Sequence, residues 1–163
     1  FLIKNGRRNI ALVNGSSEAD VALLRGSGYR RALTEAGLVL RPDRMLMADF
    51  DSSLAYAKVK ELLERDGAVD ALFCASDVMA LGACKAIEEL GLTVGDQVAV
   101  VGFDDIPEAR YLYGGLTTVR QDFYLTGYMA GKAIYEKIEG KADVHVDNMM
   151  YELVIRGSAK GKL

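Results

Sequence analysis

The sequence predicts an α/β protein with a doubly wound parallel sheet, helices on both faces in three α/β/α layers. Three observations carry this expectation. Short apolar runs alternate with longer segments whose apolar residues recur at helical spacing. The runs are continuous, as strands buried on both faces require. The helical segments stop at or near glycines, namely Gly37, Gly67, Gly91 and Gly140, where a left-handed cap residue belongs.

Taken in order, Phe1-Leu-Ile-Lys-Asn-Gly reads as the last turns of a helix ending at Gly6. Asn9 to Val13 is the first strand, and Asn14-Gly-Ser-Ser a turn and helix N-cap. A helix is expected from about Glu18 to Ala36, then a short strand from Met45 to Ala48. Asp51-Ser-Ser opens a helix with Leu54, Ala55, Val59, Leu62 and Leu63 on one face. Leu72 to Ala75 is a strand, and either Ser76 or Asp77 is suited to cap the next helix. That helix carries Met79, Ala80, Ala83, Ile87 and Leu90. Val98 to Val101 is a fourth strand, followed by Asp104-Asp105. Residues 106 to 116 form a loop with Pro107 and Gly114-Gly115. Thr117 to Gln121 reads as a crossover, Leu125 to Ile138 as an amphipathic helix without a strand partner, and Lys141 to Asp147 as a polar connection. Met149 to Ile155 is a last strand, with a frayed tail from Gly157.

At 163 residues the default is one domain, with two small lobes as the alternative. Half the residues are hydrophobic, enough for a sizeable core. A net charge of −3 argues against this segment itself being a nucleic-acid surface. Cys74 and Cys84 match neither metal nor redox spacing and read as buried free thiols of a reducing compartment. No run is long enough to span a membrane. The chain lacks an initiator Met and is expected to be a piece of a larger protein.

In open parallel sheets, ligands bind beyond the carboxyl ends of the strands. This chain puts Ser76, Asp77, Asp104 and Asp105 there. Asp104 reads as a turn aspartate or as an acceptor for ligand hydroxyls. Arg25, among Val21, Ala22, Leu23 and Leu24, is either a snorkelling arginine or a fork of donors aimed into a cleft. Phe50 follows the Met45 to Ala48 strand at the same edge, as a core residue or a stacking face. Gly26-Ser27-Gly28-Tyr29-Arg30-Arg31 begins like a dinucleotide fingerprint. It lies inside a helix rather than at a strand–helix turn, so close helix packing is the better account. His145, the one histidine, lies in a polar connection, so no catalytic triad suggests itself and no metal or cofactor is expected. Asp104 and Asp105, being adjacent, are expected to point to opposite sides.

Five segments together resemble the effector-binding domain of LacI/GalR-family transcriptional regulators. They are Gly6-Arg-Arg-Asn-Ile-Ala-Leu-Val, Arg25-Gly-Ser-Gly-Tyr-Arg, Phe73-Cys-Ala-Ser-Asp-Val-Met-Ala-Leu-Gly-Ala, Val100-Val-Gly-Phe-Asp-Asp and Leu116-Thr-Thr-Val-Arg-Gln-Asp. Each is weak alone; their order and spacing are specific and cover nearly the whole chain. The resemblance implies a periplasmic-binding-protein-like fold of two lobes joined by three crossovers. Residues 1–6 would end a helix of the N-terminal lobe, and 7–121 would form the C-terminal effector-binding lobe. Residues 122–147 would be a helix–strand piece of the N-terminal lobe, and 148–163 the returning strand and tail.

By the same resemblance Arg25 contacts the effector, Phe50 walls it and Asp104 accepts from it. Gln121 and Phe123 sit at the cleft hinge. Ser76 stands where several sugar-binding members place asparagine, and Val21 where some place a hydroxyl residue. Leu81, Lys85 and Leu112 fall on the surface such regulators use to dimerise. The implied protein is a cytoplasmic, homodimeric regulator, a repressor, sensing a sugar or related metabolite. It would bind DNA through a helix-turn-helix outside this chain, with no membrane contact. The rivals are a periplasmic sugar-binding receptor of an ABC transporter and, last, an enzyme, for which no phosphate loop is present.

Overall fold

The structure, a computed structural model, describes residues 1–111, 113–141 and 151–160. Its parallel strands are β1 (Ile10–Asn14), β2 (Met45–Met47), β3 (Ala71–Cys74), β4 (Ala99–Asp104) and β5 (Thr117–Arg120). They lie in the order β2-β1-β3-β4-β5, and β6 (Glu152–Val154) joins β5 antiparallel. The chain steps outward from β1 to β2, returns past β1 to β3, and continues to β4 and β5. That reversal opens a crevice at the carboxyl ends of β1 and β3. Two differences from the sequence reading concern the sheet's far side. β5 is a fifth parallel strand rather than only a crossover, and β4 runs on to include Asp104.

Helices α2 (Ser52–Arg65) and α3 (Asp77–Glu89) cover one face, burying Val59, Leu62, Met79 and Ile87 against Val13, Leu72 and Val100. Their approach depends on Gly82, where a Cβ would lie 2.1 Å from the Ser52 carbonyl oxygen. Helix α1 (Asp20–Glu35) packs on the other face through Ala22, Gly26, Tyr29 and Leu33, against Ile10, Leu12 and Val101. Gly26 serves that packing, since a Cβ there would come 3.1 Å from Asn14 Nδ2. Gly28 meets nothing within 4 Å, so the packing account of the glycine pair holds for one of the two.

Capping follows the sequence at α2, where Asp51 Oδ1 accepts from Leu54 N at 2.7 Å, and at α3, where Ser76 Oγ accepts from Met79 N at 3.2 Å. It fails at α1: Asn14 belongs to β1, and the helix begins after Ala19 with no side-chain cap. Asn14 instead donates from Nδ2 to the Ala22 carbonyl, tying strand to helix. The opposite end of the sheet is fixed by Arg7, 1% exposed, which donates to the carbonyls of Asp70, Gly95, Asp96 and Gln97.

The expected frayed tail is also corrected. Gly157–Ala159 form a 3-10 turn with Ser158 and Ala159 buried. Ser158 Oγ donates to the Val100 carbonyl at 2.7 Å and accepts from Thr117 N at 2.8 Å, so it satisfies backbone groups beside β4 and β5. Helix α4 (Phe123–Ile138) has no buried residue, and Tyr124, Tyr128, Ile134 and Ile138 are exposed. Among the described residues it has no strand partner, as the sequence indicated.

Candidate functional site

Arg25, in the second turn of α1, reaches over the crevice between β1 and β3. Its Nη1 donates to the carbonyl of Ala75, the residue after β3, at 2.5 Å. Its Nη2 lies 3.6 Å from Asp104 Oδ1, and its guanidinium sits 3.8 Å from the centroid of the Phe103 ring. Such stacking suits arginine's flat, weakly hydrated cation. Phe103 in turn meets Tyr151, with ring centroids 6.2 Å apart. Gln121 Nε2 donates to Asp104 Oδ1 at 2.6 Å.

Electrostatics fit a partly dry site. Burial pulls the Arg25 pKa below its ordinary value, against the opposing pull of Asp104. Burial pushes the Asp104 carboxyl above the usual range, opposed by Arg25 and by the Gln121 hydrogen bond. The two groups are only 15% and 20% exposed, so their attraction is less screened than at an open surface. Asp104 has φ +119° and Asp105 φ +59°, left-handed conformations rare for non-glycine residues. The turn directs Asp104 to Arg25 and Gln121, and Asp105 to Arg120 and Arg156. The expected divergence of the two carboxylates is thus observed.

The structure brings Arg25, Asp104 and Gln121 together. Phe50 lies farther along the same edge, after β2, with φ +59°. Its ring covers the backbone of Gly15, where a Cβ would come 2.0 Å from Phe50 Cε2. Ser76 is 5% exposed and its oxygen is engaged as the α3 cap. Phe123 is exposed at the start of α4. Leu81 and Lys85 line a depression between α2 and α3 with Ser52 and Tyr56, and Lys85 pairs with Glu89 at 3.5 Å. Leu112 and His145 lie outside the described residues.

Sequence reasoning missed Phe103 and Tyr151. Phe103 was within reach: it falls two residues after Val101, on the same face of β4, and so toward α1. Asp77 has a role that no local sequence signal announces. Fully buried, it accepts from Thr118 Oγ1 at 2.6 Å and Ile106 N at 2.9 Å. Among the described residues no three His, Cys, Asp or Glu side chains are grouped to hold a metal, and no helix is long and apolar enough to cross a membrane. The chemistry on offer is recognition: a donor fork and a carboxylate side by side with aromatic faces.

Comparison with known proteins places the same residues in a wider group. The model of the periplasmic binding protein-like domain matches residues 1–159. The HTH-type transcriptional repressor PurR of Histophilus somni (strain 129Pt) is 37% identical over 161 residues, 98% of this chain and 48% of that protein. That of Pasteurella multocida (strain Pm70) is 35% identical, over 100% of this chain and 49% of its own. Among solved structures, the transcriptional regulator CelR–cellobiose complex superposes with a TM-score of 0.91 at 33% identity, covering 97% of this chain and 49% of that one. The Lac repressor dimer bound to operator and the anti-inducer ONPF gives 0.88 at 31% identity, covering 97% and 55%. The chain spans about half the length of the curated relatives it matches.

Proposed function

Because the chain belongs to the periplasmic binding protein-like family, we propose that it is the effector-sensing part of a LacI-type transcriptional regulator. The observation that carries this reading is the Arg25–Asp104–Gln121 cluster. It lies at the carboxyl edge of the sheet, and its last member is the residue that follows β5. A ligand held there touches both the lobe and the strand that leads out of it. Closing of a second lobe over the ligand would shift the balance between two states of the whole protein, to the extent that the ligand binds them unequally.

In this reading Arg25 and Gln121 donate to a sugar or related metabolite, and Asp104 accepts from it. Phe50 walls the cleft, Phe123 meets the ligand beside Gln121 at the hinge, and Ser76 lines the cleft from the start of α3. Leu81, Lys85 and Leu112 face a second copy. DNA is bound through a helix-turn-helix elsewhere in the protein, which works in the cytoplasm and is not an enzyme. The relatives reported above are regulators, which favours this over a transport receptor with similar cleft chemistry.

The test is a thermal-shift screen of the intact protein against neutral mono- and disaccharides, cellobiose included, followed by calorimetry on any hit. Asp104→Ala should weaken a hit at least about tenfold, the loss of one hydrogen bond to a charged group. Unchanged affinity would remove Asp104 from the site. No hit in the panel would remove the sugar class.

A further inference from the structure

The carboxylate next to Asp104 does something different. Asp105 has a side chain 2% exposed, yet it makes two arginine pairs on two strands. Arg120 Nε, at the end of β5, donates to Asp105 Oδ2 at 2.7 Å. Arg156 Nη2, just beyond β6, donates to Asp105 Oδ1 at 2.6 Å. Arg120 also reaches Glu152 at 2.9 Å, its direct partner across the β5–β6 pair. One buried carboxylate therefore ties together the strand that runs into α4 and the strand that returns afterwards.

The tie is anchored on all sides. Arg156 donates a second time to the Leu116 carbonyl at 2.8 Å, and its backbone exchanges hydrogen bonds with Thr117 Oγ1. Its side chain packs on Gly115, where a Cβ would come 2.5 Å from Arg156 Cδ. From below, Asp77 of α3 accepts from the backbone N–H of Ile106, the residue that follows Asp105. The positive φ values at residues 104 and 105 leave this turn little freedom.

Two neighbours thus contact two neighbours: Asp104 meets Gln121 while Asp105 meets Arg120. We propose that Asp105 is a positioning residue that sets the angle at which the chain leaves and re-enters the sheet. The Asp104–Gln121 contact and the Asp105 clamp move as one unit. Only two residues separate β5 from α4, so the direction of α4 reports the setting of the clamp. The inference deepens the functional reading above and rests on it in one respect, that residues beyond Gln121 swing relative to the lobe when ligand binds. It adds that the joint is fixed by a buried ion cluster and not by the backbone pairing of β5 and β6 alone.

The experiment places spin labels at Glu64→Cys on α2 and Lys132→Cys on α4, both exposed positions, in the chain without ligand. The native cysteines are buried and free. Pulsed electron-spin resonance then reads the distance distribution between the labels. Asp105→Asn keeps the shape, suits a left-handed φ and removes the charge. It should widen the distribution about twofold, because a half-emptied ion cluster no longer selects one setting. Asp51→Asn, at the α2 cap, serves as a control that removes a carboxylate charge and keeps a capping oxygen without touching the clamp, and should leave the width as in the parent. If Asp105→Asn does not fold, Arg120→Gln, on the more exposed arm of the clamp, should give a smaller widening. A parent-like width in the clamp variant, or equal widening in the Asp51 control, overturns the proposal. Failure of the sugar screen with widened distances in Asp105→Asn would sink the functional reading and leave the clamp standing.

Discussion

Glycine in the middle of a strand ordinarily costs stability, so Gly102→Ala in β4 should help by about 0.5–1 kcal/mol on backbone grounds alone. The structure predicts the opposite. A Cβ at residue 102 would lie 2.1 Å from Asp77 Oδ1 and 3.0 Å from Leu116 Cδ2. The Leu116 contact is relieved by a small shift, but the first is not. Asp77 is fully buried at the start of α3, held by Thr118 Oγ1 and Ile106 N, and has nowhere to retreat. Displacing it weakens two hydrogen bonds to a charged group, each worth roughly 1.5–3 kcal/mol. Subtracting the backbone gain leaves a net loss of roughly 2–5 kcal/mol. Urea unfolding followed by far-ultraviolet circular dichroism measures it. The second half of the cycle isolates the cause. In an Asp77→Ala background the added methyl has room, so Gly102→Ala should fall within about 1 kcal/mol of neutral. If Gly102→Ala is as stable as the parent, or if its cost is the same with and without Asp77, the steric argument is wrong.

Two further outcomes follow from the buried ionisable groups. Burial pushes the Asp105 carboxyl up, but the hydrogen bonds and charges of Arg120 and Arg156 outweigh it and hold it below its ordinary 3.8. A carboxylate with a lowered folded-state pKa stabilises the fold above its unfolded value and loses that contribution as pH falls through the folded one. Acid titration of stability should therefore show a steeper loss below about pH 4 in the parent than in Asp105→Asn, and parallel curves would refute the pairing. Burial also raises the thiol pKa values of Cys74 and Cys84, so neither forms thiolate near neutrality. A thiol reagent should find no fast-reacting group in the native chain and both cysteines after denaturation; rapid labelling of either in the folded state would contradict their burial.

The strand–helix alternation was legible because it is written locally. A parallel strand buried on both faces must be continuously apolar, and β1 is buried at every one of its five positions. Helix stops were legible for the same reason, since Gly37 and Gly91 adopt φ of +65° and +70° where other residues are strained. Arg25 and Asp104 stood out because each breaks an apolar stretch at a strand end or on a packed helix. What escaped is what depends on distant partners. Ser158 docks on Val100 across 58 residues, so the tail looked frayed. Asp105 finds its arginines 15 and 51 residues later, and no local pattern announces them.

The Ser76–Asp77 pair sharpens the distinction. Either side chain is chemically able to cap α3, and a carboxylate near the helix N-terminus gains from the dipole in both positions. The choice is made by Thr118, 41 residues away, whose hydroxyl occupies Asp77 and leaves the cap to Ser76. That choice has a consequence for the proposed effector site. With Asp77 committed inward to the turn at 104–106, the helix bearing Leu81 and Lys85 is joined to the residue pair that meets both Gln121 and the Asp105 clamp. A serine in place of Asp77 would still begin the helix. It would not hold that turn with a charged acceptor, and the site's link to α3 would be reduced to backbone packing.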